Sequence, residues 1–344
     1  MKRHGNTLYI TTQGSYLHKE GECVCINVDG DQRGRIPVHN LEGIICFGQV
    51  GVSPFLLGHL AEKGISLTFM TEWGRFMARL VGPVSGNVLL RREQYRRADD
   101  PAASAAVAAS FILGKIANSR TILMRAARDH GSNGPDCELR HAAKRLGDCA
   151  QRILSGTFGF DQLRGIEGEA AAVYFGAFQS MITVGGDGFR FNGRSRRPPL
   201  DRVNCLLSFL YALLLHDARS ALEMVGLDPS VGFLHRDRPG RPGLALDLME
   251  ELRPVLADRI ALTLINRQEL KTGDFTVAEN GAVSLREEAR RGILAAWQDK
   301  KQQEITHPFL QETVTIGSVC RLQASLLSRH LRGDLDRYPP FIYK

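Results

Sequence analysis

The sequence has no run of about 18 or more uncharged apolar residues, the minimum a helix needs to cross a bilayer, so no membrane-spanning helix is expected. It lacks an apolar leader as well. Met1-Lys2-Arg3-His4-Gly5 runs directly into alternating residues, so no secretory signal is expected and the chain reads as cytoplasmic. Seven cysteines are present, with one close pair, Cys23 and Cys25, and no second half of a zinc site. An odd count without a framework suits reduced, mostly buried thiols. No internal repeat is visible.

What is present is ordinary in bulk and uneven in distribution. With 344 residues, 43% apolar and 24% charged, the chain is long for one core, so two domains are expected. The formal charge is +7, which permits a polyanionic partner without demanding one. Arginine crowds into Arg91-Arg92-Glu93-Gln94-Tyr95-Arg96-Arg97 and Arg190-Phe191-Asn192-Gly193-Arg194-Ser195-Arg196-Arg197. Planar guanidinium groups suit phosphate, although such runs equally serve as solvated helix faces or loops.

Periodicity changes character near residue 85. Before it, Leu8-Tyr9-Ile10-Thr11-Thr12, residues 23–28, 40–47, 65–70 and 76–80 read as strands, with a turn at Asp29-Gly30-Asp31. Ser53 and Pro54 look like the cap and first position of a short helix to about Lys63. Residues 81–86, rich in Gly and Pro, mark the boundary. Beyond it, residues 101–128, 137–154, 163–181, 201–225 and 244–264 read as helices, with Asp129-His130-Gly131-Ser132-Asn133-Gly134-Pro135 as a breaker. A hairpin is expected from Phe275-Thr276-Val277 through Asn280-Gly281 to Val283. Ser284 and Glu287 form a capping-box pattern before the helix that holds Trp297. The fold class expected is α+β: a small β-rich domain over residues 1–85, followed by an all-α domain over 86–344.

Three features of the helical part carry chemistry. In Gly165-Ile166-Glu167-Gly168-Glu169-Ala170, Ile166, Ala170, Val173 and Ala177 share one face, and Glu167, Ala171 and Tyr174 share the next. His235 ends Val231-Gly232-Phe233-Leu234-His235 where an apolar run meets a Gly/Pro-rich loop. In Leu244-Ala245-Leu246-Asp247-Leu248-Met249-Glu250-Glu251-Leu252-Arg253-Pro254, the buried stripe is Leu244, Leu248, Leu252 and Val255, and Asp247 and Glu250 lie about 60° apart around the axis. Each alone has a plain reading: a solvated first-turn Glu, a carbonyl-bonded His, two carboxylates on an exposed helix face. Together they make a mixed oxygen and nitrogen set suited to Mg²⁺ or Mn²⁺ with positions left for phosphate oxygens.

At these residues the sequence resembles the CRISPR-associated integrases of spacer acquisition. The blocks around Glu167, ending at His235 and spanning 246–254 are similar to that family's motifs. So are Gly86-Asn87-Val88-Leu89-Leu90-Arg91-Arg92-Glu93-Gln94-Tyr95 and Arg202-Val203-Asn204-Cys205-Leu206-Leu207-Ser208-Phe209-Leu210-Tyr211. The resemblance implies a β-rich dimerisation domain and a helical domain holding one divalent metal on Glu167, His235 and Glu250. Asp247 would be an additional catalytic acid competing with Glu250 for the third position, and Glu251 is a reserve candidate. It further implies DNA cleavage, and transesterification in which the 3′-hydroxyl of a captured fragment attacks a repeat-boundary phosphodiester. A homodimer, bridged to a second by a small ferredoxin-like partner dimer, would carry this out. Arg75, Arg79, Arg91, Arg92, Arg194, Arg196 and Arg197 would touch the DNA backbone. Tyr174 and Tyr211 read first as core tyrosines with bonded hydroxyls. Two further readings compete: a stand-alone metal-dependent nuclease, and a basic DNA-binding scaffold without catalysis.

Overall fold

The computed structural model describes residues 6–82, 88–129 and 135–343, apart from the side chains of residues 135 and 136. The expected linker from Pro83 onward, the breaker at 130–134, and Gly86-Asn87 of one family-like block lie outside the described residues. The fold is α+β, as the patterning implies. It divides into two compact units, described separately.

Unit one contains Met1–Ser85, Leu285–Ile305 and Val314–Ser318. Its strands are β1 (Thr7–Ile10), β2 (Tyr16–Glu20), β3 (Cys23–Val28), β4 (Asp31–Pro37), β5 (Gly43–Phe47), β6 (Gly51–Val52), β7 (Ser66–Met70) and β8 (Phe76–Arg79). They form two four-stranded sheets, ordered β4-β3-β2-β6 and β1-β5-β7-β8. Every residue of β5 is buried, because it runs between parallel partners β1 and β7. The β3–β4 hairpin turns through Asp29 and Gly30, both at positive φ (53° and 87°), which is the backbone a two-residue hairpin turn requires. Helix α1 (Pro54–Glu62) begins as expected: Ser53 Oγ accepts from Leu56 N at 3.2 Å, and Pro54 takes the first turn. Leu17, Val24, Ile44, Leu56, Leu60 and Leu67 meet in its core.

The expected split at residue 85 is therefore incomplete, since two later segments return to unit one. Trp297 is fully buried there, and Arg290 lies 5.4 Å over the Trp73 ring. The capping box expected at Ser284 does not form. Ser284 Oγ pairs with Thr276 Oγ1 at 2.7 Å across the hairpin of β9 (Phe275–Val277) and β10 (Val283–Leu285), so its hydroxyl is taken. The cap residue of the following helix, Glu287–Gln302, is Arg286, which makes no side-chain cap hydrogen bond; Glu287 and Glu288 supply first-turn negative charge instead.

Unit two is helical. It contains α2 (Val88–Asp99), α3 (Pro101–Asp129), α4 (Pro135–Ser155), α5 (Phe160–Gly176), α6 (Arg202–Met224), α7 (Gly243–Glu250) and α8 (Arg259–Asn266). The Glu287–Gln302 helix of unit one is α9, and α10 (Val319–Leu331) returns to unit two. By length and composition α3 and α6 are apolar enough to cross a membrane, but 56% of each apolar stretch is buried within the fold. The expected helix over 244–264 is broken. Pro254 has no N–H to continue the ladder, and a wide π turn, Arg253–Asp258, joins α7 to α8. The expected helix over 163–181 starts earlier and ends at Gly176, leaving Gln179–Met181 as a 3₁₀ turn.

Near its C-terminal end the chain is bonded into unit two. Asn118 Nδ2 donates to Phe341 O (2.8 Å) and Glu251 O (2.7 Å), and Tyr343 N donates to Asn118 Oδ1 (2.7 Å).

Candidate metal centre

Helix α7 is not an amphipathic surface helix. Of its eight residues all but Leu246 are buried, Asp247 and Glu250 included, so the solvated reading of those carboxylates is excluded. Buried carboxylates need partners, and each has a different set.

Asp247 is saturated. Oδ2 accepts from Phe233 N (2.6 Å) and Leu234 N (2.9 Å), and Oδ1 from His235 N (2.9 Å). Oδ1 also lies 2.6 Å from His235 Nδ1. The loop wraps this tightly because two glycines leave room. A Cβ on Gly232 would fall 2.7 Å from the Gly243 carbonyl carbon, and one on Gly243 would fall 2.8 Å from Ser230 O. With Nδ1 donating to the carboxylate, the ring's other nitrogen, Nε2, is the one left to act as a ligand or base.

Glu250 faces two cations. Oε1 is 2.6 Å from Arg253 Nη1, and Oε2 is 3.0 Å from Lys115 Nζ, without a well-aligned hydrogen bond. Burial pushes the Glu250 carboxyl up, but the charges of Arg253, Lys115 and His235 outweigh it and hold it at about 2. Lys115 Nζ also donates to Glu167 Oε1, on α5. Burial pulls the ammonium down while Glu250 and Glu167 pull it further up, for a net rise. The Glu167 side chain is 28% exposed against 3% for Glu250, so one carboxylate is open to solvent in part and the other is enclosed.

Glu167 and Glu250 thus meet on Lys115 in unit two, and His235 lies near enough for its charge to act on Glu250. Among the described residues no group of three or more His, Cys, Asp and Glu side chains is so placed that it could hold a metal ion. The cation touching both carboxylates is Lys115. The donor chemistry still fits a divalent ion: two carboxylates, one with a buried acceptor oxygen lacking a hydrogen bond, and an imidazole fixed in orientation. Asp247 does not fit as a direct ligand, because its lone pairs are already engaged. Glu251 points elsewhere. Its Oε2 accepts from Gln323 Nε2 and Phe341 N, both at 2.9 Å, and burial raises its carboxyl to about 8 against the pull of those bonds.

Beside the centre, Tyr174 and Tyr211 donate to Asp258 Oδ2 and Oδ1 at 2.9 and 2.6 Å, which agrees with their plain reading as core tyrosines. Burial raises Asp258 to about 6, against the pull of those bonds and of Arg194 and Arg253. Arg194 is half-buried, donates to Asn204 Oδ1 and lies 5.1 Å over the Tyr211 ring. Its recorded contacts are with neighbours in the fold. Arg75, Arg92, Arg196 and Arg197 are exposed, and Arg79 and Arg91 half-buried.

Spacing and motif gave no hint of Lys115, although it is the lone charge among residues 101–119 of an otherwise apolar and alanine-rich helix. They gave none of Arg253 either, nor of a group of arginines beside the centre. Burial and the charges of Arg238, Arg164 and Arg196 pull the Arg241 guanidinium below its ordinary value, while Asp247 pulls the other way. Arg164, Arg196 and Arg238 are exposed.

Comparison with known proteins adds a second line. The profile of the CRISPR associated protein Cas1 matches residues 8–299. A protein of Chlorobaculum tepidum (strain ATCC 49652 / DSM 12025 / NBRC 103806 / TLS), named CRISPR-associated endonuclease Cas1 1, is 54% identical over 346 residues, covering 100% of both chains. Among solved structures, a casposase bound to integration product superposes with a TM-score of 0.83 at 21% identity, over 98% of this chain and 94% of that one. A Cas6-RT-Cas1–Cas2 complex matches with a TM-score of 0.81 at 21% identity, over 99% of this chain and 36% of that one. At such identities the two structural likenesses speak for the fold.

Proposed function

The chain belongs to the CRISPR-associated Cas1 family, and on that premise we propose that it is a metal-dependent DNA integrase and endonuclease of spacer acquisition. The observation that carries this reading is the convergence of Glu167 and Glu250 on one cation beside an imidazole whose Nδ1 is held by Asp247.

In this reading Glu167, Glu250 and His235 Nε2 would hold Mg²⁺ or Mn²⁺, which would supply Lewis-acid polarisation of the scissile phosphate and charge stabilisation of the leaving oxygen. Asp247 acts through His235, fixing its tautomer and angle rather than touching the ion. Arg253 anchors Glu250 from the far side, its guanidinium 4.8 Å over the Tyr211 ring. Arg164, Arg196, Arg238 and Arg241 hold the DNA strand by its phosphates, a sequence-tolerant and salt-dependent contact. The attacking group is a 3′-hydroxyl of the captured fragment; the P–O3′ bond at the repeat boundary breaks, the displaced strand leaves with a 3′-hydroxyl, and a new phosphodiester takes its place.

The partner is a small ferredoxin-like dimer, in keeping with the Cas2 of the complex this fold matches. The chain itself pairs through unit one. There Phe76 and Met77 are exposed on β8, an edge strand of its sheet, and Trp73 is exposed just before it.

An integration assay tests the reading: a labelled duplex fragment, a repeat-bearing target and Mn²⁺ or Mg²⁺, with joined and cleaved products scored separately. Glu167→Ala and His235→Ala are expected to lose joining by at least about 100-fold with the fold retained. Full joining by either variant removes the proposed centre. Cleavage without joining in the presence of the partner favours a stand-alone nuclease instead.

A further inference from the structure

Lys115 takes no part in that chemistry, yet it sits in the middle of the centre. A lysine whose side chain is 14% exposed, on a helix otherwise built for packing, costs several kcal/mol to desolvate unless its charge is matched. The match is specific: its ammonium contacts Glu167 Oε1 and Glu250 Oε2, one carboxylate from α5 and one from α7. These are the two carboxylates assigned to the divalent ion.

Charge balance constrains how an ion can enter. Glu167 and Glu250 supply two negative charges, Lys115 and Arg253 two positive ones. Those four charges cancel, and Asp247 adds one negative charge beside His235. A divalent ion added to them would leave at least one uncompensated positive charge in a poorly solvated site, where repulsion at contact distance is strong. One of the resident cations has to withdraw. Arg253 is held on three sides, by Glu250 Oε1, by the Tyr211 ring and by Met249 Sδ at 3.7 Å. Among the described residues Lys115 is held by the two carboxylates, and it carries its charge on a flexible four-carbon stem.

We infer that the Lys115 ammonium is the internal counter-cation of the metal-free centre, and that entry of the divalent ion displaces it from Glu167 and Glu250. This rests on the metal-centre reading and adds a competition to it. Lys115 keeps two carboxylates from repelling each other while no ion is bound, and it lowers affinity for the ion by having to leave. The displaced ammonium stays tethered at the centre, where a DNA phosphate offers it a new counter-charge. Ion and DNA are therefore expected to bind with positive coupling through this residue.

Mn²⁺ binding followed by electron paramagnetic resonance on wild type, Lys115→Met and Glu167→Gln, without DNA, tests the competition. Lys115→Met is expected to bind Mn²⁺ about tenfold more tightly or better, to melt at a lower temperature without metal, and to show a larger upward shift in Tm on adding Mn²⁺. Glu167→Gln should lose binding. Equal or weaker Mn²⁺ affinity in Lys115→Met would overturn the inference and leave the metal centre standing. No Mn²⁺ uptake by wild type would overturn the metal-centre reading and this inference with it.

A measurement on wild type covers the case in which the variant fails to fold. Lysine acetylation read by mass spectrometry should show Lys115 protected without metal and more reactive, by severalfold, with saturating Mn²⁺. Protection unchanged by Mn²⁺ would equally sink the displacement.

Discussion

At the scale of single residues, the four acids and one histidine picked out by spacing divide by what each is bonded to. Sequence spacing places Asp247 and Glu250 on neighbouring helix positions and stops there. It carries no record of which loop folds over the helix. The backbone N–H groups of Phe233, Leu234 and His235 settle the matter by engaging Asp247 completely, leaving Glu250 to face the charges. Asp247→Ala is expected to destabilise the protein by about 3 kcal/mol or more, because several buried donors lose their acceptor together. Chemical denaturation measures this. Asp247→Asn should recover part of that loss by keeping one acceptor oxygen for Phe233 N and Leu234 N, yet lose joining activity, since its amide N–H toward His235 selects the wrong tautomer. Equal activity in Asn and wild-type proteins would deny Asp247 its positioning role. Glu251 was legible as an acid and illegible as a buried one, because its partners lie more than seventy residues away at Gln323 and Phe341.

At the scale of elements, the hydrophobic stripes were readable and the breaks were not. Ile166, Ala170 and Val173 turn inward from α5, as does Ala177 just past its end, and Leu244, Leu248, Leu252 and Val255 are buried along α7 and the turn after it. The same periodicity ran on through Pro254 and hid the π turn that ends the helix and carries Asp258 beneath two tyrosines. The loop from Val231 to Gly243 read only as Gly/Pro-rich. In the fold its glycines are what permits the backbone to close on Asp247. Gly232→Ala should therefore cost about 1–3 kcal/mol, a penalty of overpacking against a carbonyl that cannot retreat. A thermal melt reads it. An unchanged Tm would mean that the loop relaxes freely.

At the scale of the whole molecule, charge and pH act on the folded state. Glu251 is held neutral to about pH 8, above the unfolded carboxylate value of about 4.3. A folded value raised in this way gives a stabilisation complete below the unfolded value and lost as pH rises through the folded one. Melting temperature is thus expected to decline from about pH 5 toward pH 9. Glu251→Gln, which keeps a carbonyl acceptor for Phe341 N, should flatten that decline. A parallel decline in both proteins would place its cause elsewhere. On the surface, removing the charges of Arg164 and Arg238 should weaken duplex binding and lower the salt slope by up to about 0.9 for each phosphate no longer neutralised. An unchanged slope would put those residues off the DNA. Bulk composition announced a basic two-part protein, but adjacency among Arg164, Arg196, Arg238 and Arg241 is a product of folding and had no local signature.

The division into units bears on how the protein is made. Unit one draws on residues 285–305 and 314–318, yet its β-strands are synthesised first and residues 86–284 must be added before those later segments exist. During translation the nascent strands leave the ribosome without Trp297, which joins their unit only after the whole of α2 to α8 has been added. Unit two waits in turn for Phe341 and Tyr343 to reach Asn118. Neither unit is complete until those late segments arrive, so the final packing of each is expected to be post-translational. A fragment of residues 1–85 should melt broadly by circular dichroism, where the full chain melts cooperatively.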